Sequence, residues 1–122
     1  MTGKVLVVDD SEMARNLCSG ILYELGYEVD TAENGMEALE KVAEGEFCSV
    51  LVDLNMPVMD GYTFVMKLRE IEKLEDLPVI IVTTEGEAKD RERGYEVGAD
   101  VYIVKPLKKQ ELEEHLNMLL AS

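Results

Sequence analysis

The sequence predicts a doubly wound α/β fold with a five-stranded, mostly parallel sheet and five helices, and three observations carry that prediction. Four short apolar runs rich in β-branched residues recur along the chain, amphipathic stretches of helix length lie between them, and the β-α alternation repeats five times. Crossovers of this kind are right-handed and bring each strand back parallel to the last.

Val5–Val8 is the first strand, apolar throughout as a strand buried on both faces should be. Residues 12–25 follow as a helix, with Met13, Leu17, Ile21 and Leu25 as its expected core stripe. Tyr27–Thr31 alternates apolar with polar residues, the mark of a less buried strand at a sheet edge. Residues 35–44 form the second helix, with Met36, Leu39, Val42 and Ala43 turned inward. The remaining strands are Val50–Val52, Val79–Val82 and Val101–Val104, and the remaining helices Gly61–Ile71, Glu87–Val97 and Lys108–Leu120. Gly26, Gly45 and Gly98 stand at C-cap positions, and Pro78 precedes a strand, where its missing N–H costs little.

At 122 residues, with no linker, repeat or low-complexity stretch, the expectation is one domain over 1–122. The 26 acidic and 12 basic residues leave a net charge of -14, which excludes direct nucleic-acid or anionic-membrane binding as a main activity. Neither a signal-peptide pattern nor a spanning segment is visible, so a cytoplasmic location is expected. Cys18 and Cys48 lack CxxC spacing and read as buried reduced thiols; with His115 as the one histidine, structural zinc is excluded. His115 itself reads as a helix-surface residue, and the methionines as core or loop packing.

Function is written where the apolar runs end. Asp9 and Asp10 follow the first, Asp53 the third, Thr83 the fourth and Lys105 the fifth. In an open parallel sheet these ends share one edge, where ligands bind. Three carboxylates converging there repel one another unless a cation compensates, and hard oxygen ligands in a small wet site suit Mg²⁺. The competing reading is that Asp9 or Asp10 caps the next helix, a task Ser11 can also perform. Asp53 leads into a loop with Pro57 and Gly61 at turn positions. Its carboxylate is a competent nucleophile toward phosphorus, given a metal, the Lys105 charge and the Thr83 hydroxyl for the transferred oxygens. Alternatively Lys105 simply pairs with the acidic cluster, and Thr83 reflects β-propensity.

These residues lie in the motifs Val7-Val8-Asp9-Asp10, Val52-Asp53-Leu54-Asn55-Met56-Pro57-Val58-Met59-Asp60-Gly61, Val82-Thr83-Thr84-Glu85 and Val104-Lys105-Pro106. With them the chain resembles, from end to end, bacterial response-regulator receiver domains, and closely the stand-alone CheY-like chemotaxis type. The resemblance implies a flavodoxin-like sheet of order 2-1-3-4-5. It also implies Asp53 as phosphoacceptor, Mg²⁺ held by Asp9, Asp10, Asp53 and the Asn55 backbone carbonyl, Thr83 as switch hydroxyl and Lys105 paired to the phosphoryl group. Tyr102 is then the switch aromatic, Asn55 and Glu85 tune dephosphorylation, and the Lys105–Pro106 bond is cis.

By the same resemblance the chain takes a phosphoryl group from a sensor histidine kinase, changes its output surface and dephosphorylates itself, as a phosphoacceptor and not an enzyme. The output face contains helices 87–97 and 108–120 with Tyr102, which turns inward on phosphorylation. Lys105, Lys108 and Lys109 form a local basic patch that fits an acidic partner segment or is merely a solvated helix start. Partners are the kinase, an output protein such as a flagellar motor switch, and a phosphatase, with the chain a monomer. The alternatives are a phosphorelay intermediate, the receiver of a larger hybrid protein and, from another class, an aspartyl-phosphate phosphatase. The last is disfavoured because Asp9-Asp10-Ser11-Glu12 lacks a DxD arrangement.

Overall fold

The computed structural model describes residues 3–121; the expected features at Met1, Thr2 and Ser122, including a leader-free start, lie outside the described residues. Five strands alternate with five helices: β1 Lys4–Val8, α1 Glu12–Glu24, β2 Glu28–Ala32, α2 Gly35–Glu44, β3 Ser49–Val52, α3 Gly61–Arg69, β4 Val79–Thr83, α4 Ala88–Val97, β5 Val101–Val104 and α5 Lys109–Leu120. A single 3-10 turn, Glu72–Leu74, follows α3 where the sequence reading had continued that helix to Ile71. All strand pairs are parallel, in the order β2-β1-β3-β4-β5, with β2 at an edge as its alternation predicted.

Strand periodicity sorts the core into two layers. Leu6, Val8, Val50, Val52 and Ile81 pack toward Ala38 and Val42 of α2 and Phe64, Val65 and Leu68 of α3. Val5, Val7, Leu51, Ile80 and Ile103 face Cys18 and Leu22 of α1 and Leu112 and Leu116 of α5. Phe64, Leu22, Leu68, Leu112 and Leu116 are wholly buried, each contributing roughly 1.5–3 kcal/mol of transfer free energy. The register aligns Val8 with Val52 and Ala32, and Thr83 with Val104, so the carboxyl ends share one edge.

Helix faces follow the sequence reading in part: Ile21 and Leu25 of α1 and Leu39 and Val42 of α2 pack on the core, and the other expected residues do not. In α1 the buried residues are Cys18 and Leu22, while Met13 and Leu17 are 82% and 55% exposed. Steps of four residues advance about 40° beyond a full turn, so a stripe of three such steps walks around the helix. In α2 the inward residues are Gly35, Ala38 and Val42, with Met36 exposed at the surface and Ala43 beside it. Small residues carry that face because α2 lies close against the sheet and α3. Met66 and Met118 are also exposed, and of the described methionines Met56 and Met59 pack against the core. Cys18 is buried and Cys48 half-buried, both free thiols; burial and the Asp9 charge push the Cys18 thiol up to about 11. His115 is half-buried, not a surface residue, and its buried Nδ1 has no hydrogen-bond partner.

Arg69 pins the far end of the molecule. Its guanidinium donates to the Leu74, Glu75, Leu77 and Gly98 carbonyls and to Asp100 Oδ2, tying α3 to the 3-10 turn and to the α4–β5 connection. Asp100 Oδ2 in turn accepts the Val79 N–H, fixing where β4 starts. Gly98 has φ 118°, so its left-handed C-cap geometry suits glycine, whereas Gly45 caps α2 in extended conformation.

Candidate functional site

Each polar residue that ends an apolar run is brought to one edge of the sheet. Asp9, Asp10 and Asp53 each offer a carboxylate oxygen within 4.8 Å of the others. Asp9 and Asp53 are buried and Asp10 is exposed. Ser11, not either aspartate, is the α1 N-cap: its Oγ accepts the Ala14 N–H at 3.2 Å. Asp9 Oδ1 accepts the Ser11 N–H at 3.0 Å, which fixes that carboxylate, and Asp10 is left for solvent or a cation. Arg15, which the sequence reading missed, donates to the Asp9 main-chain carbonyl at 2.7 Å and holds the turn from behind.

Lys105 reaches across from the end of β5. Its Nζ lies 3.0 Å from Asp9 Oδ2 and 3.7 Å from Asp53 Oδ2. Burial alone would lower the ammonium, but the Asp9 hydrogen bond and the charges of Asp53 and Asp9 outweigh it and raise its affinity for the proton. Asp53 is raised above a normal carboxylate: burial raises it most, Lys105 lowers it, Asp9 raises it again, and the Leu54 N–H and Thr83 hydroxyl offset part of the cost. One ammonium against three carboxylates leaves two negative charges, the charge a single divalent cation neutralises. The donor set is all oxygen, partly exposed and too small for a caging site, so it fits Mg²⁺ better than Ca²⁺.

The loop after β3 presents Asp53 on a stiff frame. Its Oδ1 accepts the Leu54 N–H at 2.8 Å, leaving Oδ2 toward Lys105. Gly61 donates to the Leu54 carbonyl at 3.0 Å, and a Cβ there would come within 2.4 Å of the Asp53 carbonyl oxygen, so only glycine lets the loop close this tightly. Asp60 caps α3 by accepting the Thr63 N–H at 2.8 Å. Between them Val58 has φ 73°, with the Met59 N–H donating to the Pro57 carbonyl at 2.7 Å, the strained classic form of a γ-turn. The Lys105–Pro106 bond is cis, as the resemblance implied.

Thr83 is fully buried at the end of β4, and its Oγ1 accepts the Glu85 N–H at 3.3 Å, which leaves its own proton for Asp53. Asn55 and Glu85 meet over the exposed mouth, Asn55 Nδ2 donating to Glu85 Oε2 at 3.0 Å. Tyr102 is buried, and its hydroxyl donates to the Glu85 carbonyl at 2.7 Å. Of the basic patch, Lys105 belongs to the acidic cluster and Lys109 pairs with Glu24 at 3.2 Å, so the three lysines do not act as a free group. Among the described residues no helix is long and apolar enough to cross a membrane.

Comparison with known proteins follows the same lines. Residues 5–117 match the family model described as the response regulator receiver domain. The chain is 38% identical over 120 residues to the transcriptional regulatory protein SrrA of Staphylococcus aureus, covering 98% of this chain but 48% of SrrA. It thus spans about half the length of the curated relatives it matches. Among solved structures, chemotaxis protein CheY4 of Vibrio cholerae superposes with a TM-score of 0.91 at 38% identity, covering 98% of this chain and 100% of that one. The receiver domain of the sensor histidine kinase PA1611 from Pseudomonas aeruginosa, with a magnesium ion coordinated in its active-site cleft, gives 0.92 at 28% identity with 100% of both chains covered.

Proposed function

Since the chain belongs to the response regulator receiver domain family, we propose that Asp53 is its phosphoacceptor, charged by a histidine kinase and read by an output partner. The observation that carries this reading is the buried Asp53 carboxylate with one oxygen held by Leu54 and the other facing Lys105, beside Asp9 and Asp10. Asp9, Asp10 and Asp53 would hold Mg²⁺, with the Asn55 backbone carbonyl as the remaining protein ligand. When bound, the metal supplies charge neutralisation for the phosphoryl oxygens.

The chain's own groups account for the rest. An Asp53 carboxylate oxygen forms a bond to phosphorus while the phosphorus–nitrogen bond to the donor imidazole breaks, the nitrogen keeping the electron pair. Lys105, poised between Asp9 and Asp53, shifts its ammonium to an oxygen of the new acyl phosphate. Thr83 supplies its free O–H to another. Water attack at phosphorus returns the carboxylate and inorganic phosphate, and the Asn55–Glu85 pair spans the mouth through which that water enters. Movement of Thr83 carries the Glu85 carbonyl with it, and through that carbonyl the Tyr102 hydroxyl.

The location is the cytoplasm, where kinase phosphohistidines are made. The output is read on the face of α4, β5 and α5. Likeness to CheY4 over its whole length favours a chemotaxis partner such as a flagellar motor switch; likeness to half of SrrA favours a receiver within a longer regulator. Capture of partners with and without beryllofluoride separates these outputs from a phosphorelay, in which a histidine phosphotransfer protein is recovered. The acceptor chemistry is tested by intact mass after treatment with acetyl phosphate and Mg²⁺. The expected result is one phosphoryl adduct that EDTA prevents and Asp53→Asn abolishes; labelling of that variant as strong as wild type refutes the assignment.

A further inference from the structure

Asp9 is held at every polar atom, and each partner comes from a different part of the chain. Its N–H donates to the Ala32 carbonyl at the end of β2 at 3.1 Å, its Oδ1 accepts the Ser11 N–H at 3.0 Å, and its Oδ2 faces Lys105 Nζ at 3.0 Å. The fourth atom, the main-chain carbonyl oxygen, accepts from Arg15 Nη1 at 2.7 Å. Asp10 beside it is exposed, so its place in the carboxylate cluster depends on the backbone that carries it.

The partner that Arg15 takes is informative. The chain holds 26 acidic residues, yet among the described residues Arg15 forms no ion pair; its half-buried side chain donates to a neutral carbonyl instead. A short bond from a charged donor is of the stronger kind. The carbonyl it grips belongs to the planar Asp9–Asp10 peptide, whose orientation sets where the Asp10 side chain projects. Arg15 is itself fixed at the start of α1, its N–H donating to the Ser11 carbonyl at 2.9 Å, so the grip is applied from a helix and not from a loop.

We infer that Arg15 is a positioning residue for the metal ligands: by clamping the Asp9–Asp10 peptide it holds the exposed Asp10 carboxylate against those of Asp9 and Asp53. The inference rests on the reading of that cluster as a Mg²⁺ site. Two cations then meet Asp9 with opposite consequences. Lys105 sits on a carboxylate oxygen and competes with a metal for it, whereas Arg15 sits on the carbonyl and takes no carboxylate oxygen. By charge alone, deleting either cation strengthens Mg²⁺ binding. The clamp predicts the reverse for Arg15, because loss of the support behind a metal ligand weakens affinity by about 10–100-fold.

Calorimetric titration of the metal-free protein with Mg²⁺ separates the two signs. Arg15→Met, checked as folded by circular dichroism, is expected to bind Mg²⁺ at least about tenfold more weakly than wild type, while Lys105→Met binds it more tightly. Arg15→Lys keeps a charge and a donor without the planar fork, and its affinity is expected to fall between wild type and Arg15→Met; it carries the test should Arg15→Met fail to fold. With acetyl phosphate, the loss in Arg15→Met should appear as a higher Mg²⁺ concentration for half-maximal labelling, with the rate at saturating Mg²⁺ unchanged. A purely structural role would lower the urea midpoint and leave the Mg²⁺ affinity where it was. Arg15 variants that bind Mg²⁺ as tightly as wild type, or more tightly, overturn the clamp and leave the metal reading standing. Wild-type protein that takes up no Mg²⁺ refutes the metal reading itself, and the clamp with it.

Discussion

Replacing Arg69 by methionine should cost about 3 kcal/mol of stability. Methionine keeps the apolar stem packing, so the loss isolates the guanidinium. The Asp100 pair is 40% exposed on the carboxylate side and the Glu75 bond is exposed, so both are discounted to near zero by solvent screening. What remains are the part-buried carbonyls of Leu77 and Gly98, each accepting a charged N–H at 2.7 Å, with Gly98 also taking the Nε–H at 3.0 Å, and the longer bond to Leu74 at 3.2 Å. Bonds to charged groups are worth roughly 1.5–3 kcal/mol each, and partial rehydration of the freed carbonyls places the sum near the low end for two. In urea melts, with slopes of about 1–3 kcal/mol/M, the midpoint should fall by roughly 1–3 M. Arg69→Lys should recover less than half, because one ammonium cannot reach both sides of the claw. A loss within about 0.5 kcal/mol, the range of ordinary surface substitutions, would refute the claim that Arg69 fastens α3 to the β4 and β5 entries.

The remaining expectations concern the site and its loop. Val58→Gly should stabilise the fold by about 0.5–1 kcal/mol in thermal or urea unfolding, since the left-handed strain of a β-branched residue that is 78% exposed is relieved with little burial lost. Lys105→Met should destabilise metal-free protein yet raise Mg²⁺ affinity, on the order of tenfold by calorimetric titration, because the ammonium competes for the Asp9 and Asp53 oxygens. Asp53 is raised in the folded state, so its ionisation costs stability; the penalty is absent below the unfolded value of 3.8 and is complete once pH exceeds the folded pKa. In EDTA, Asp53→Asn should therefore be more stable than wild type near neutral pH, with the difference closing as pH falls toward 3.8 in a series of urea melts.

The alternation of strands and helices was readable because Val5–Val8, Val79–Val82 and Val101–Val104 are too short and too β-branched for buried helices. The convergence of Asp9, Asp10, Asp53, Thr83 and Lys105 was readable for a geometric reason: parallel strands put all their carboxyl ends on one edge. What escaped depends on rotation and on distant contacts. The α1 stripe through Met13 and Leu17 failed because residues spaced by four drift around the axis, and the α2 face was hidden because Gly35 and Ala38 are small. The roles of Arg69 and Tyr62 lie in partners about 30 residues away, Gly98 and Asp90, which no local pattern announces. The packing of the Tyr102 ring against α4 depends on Gly94, whose missing Cβ no local pattern announces.

The central claim is that the Asp53 carboxylate itself carries the phosphoryl group. An acyl phosphate is reduced by borohydride to the alcohol, which converts that aspartate to homoserine and marks it permanently. After treatment with acetyl phosphate and Mg²⁺, borohydride reduction and peptide mapping should place homoserine at position 53 alone, with none when EDTA is present. Homoserine at Asp9 or Asp10, or a phosphoryl group recovered on His115 with Asp53 intact, would contradict the account.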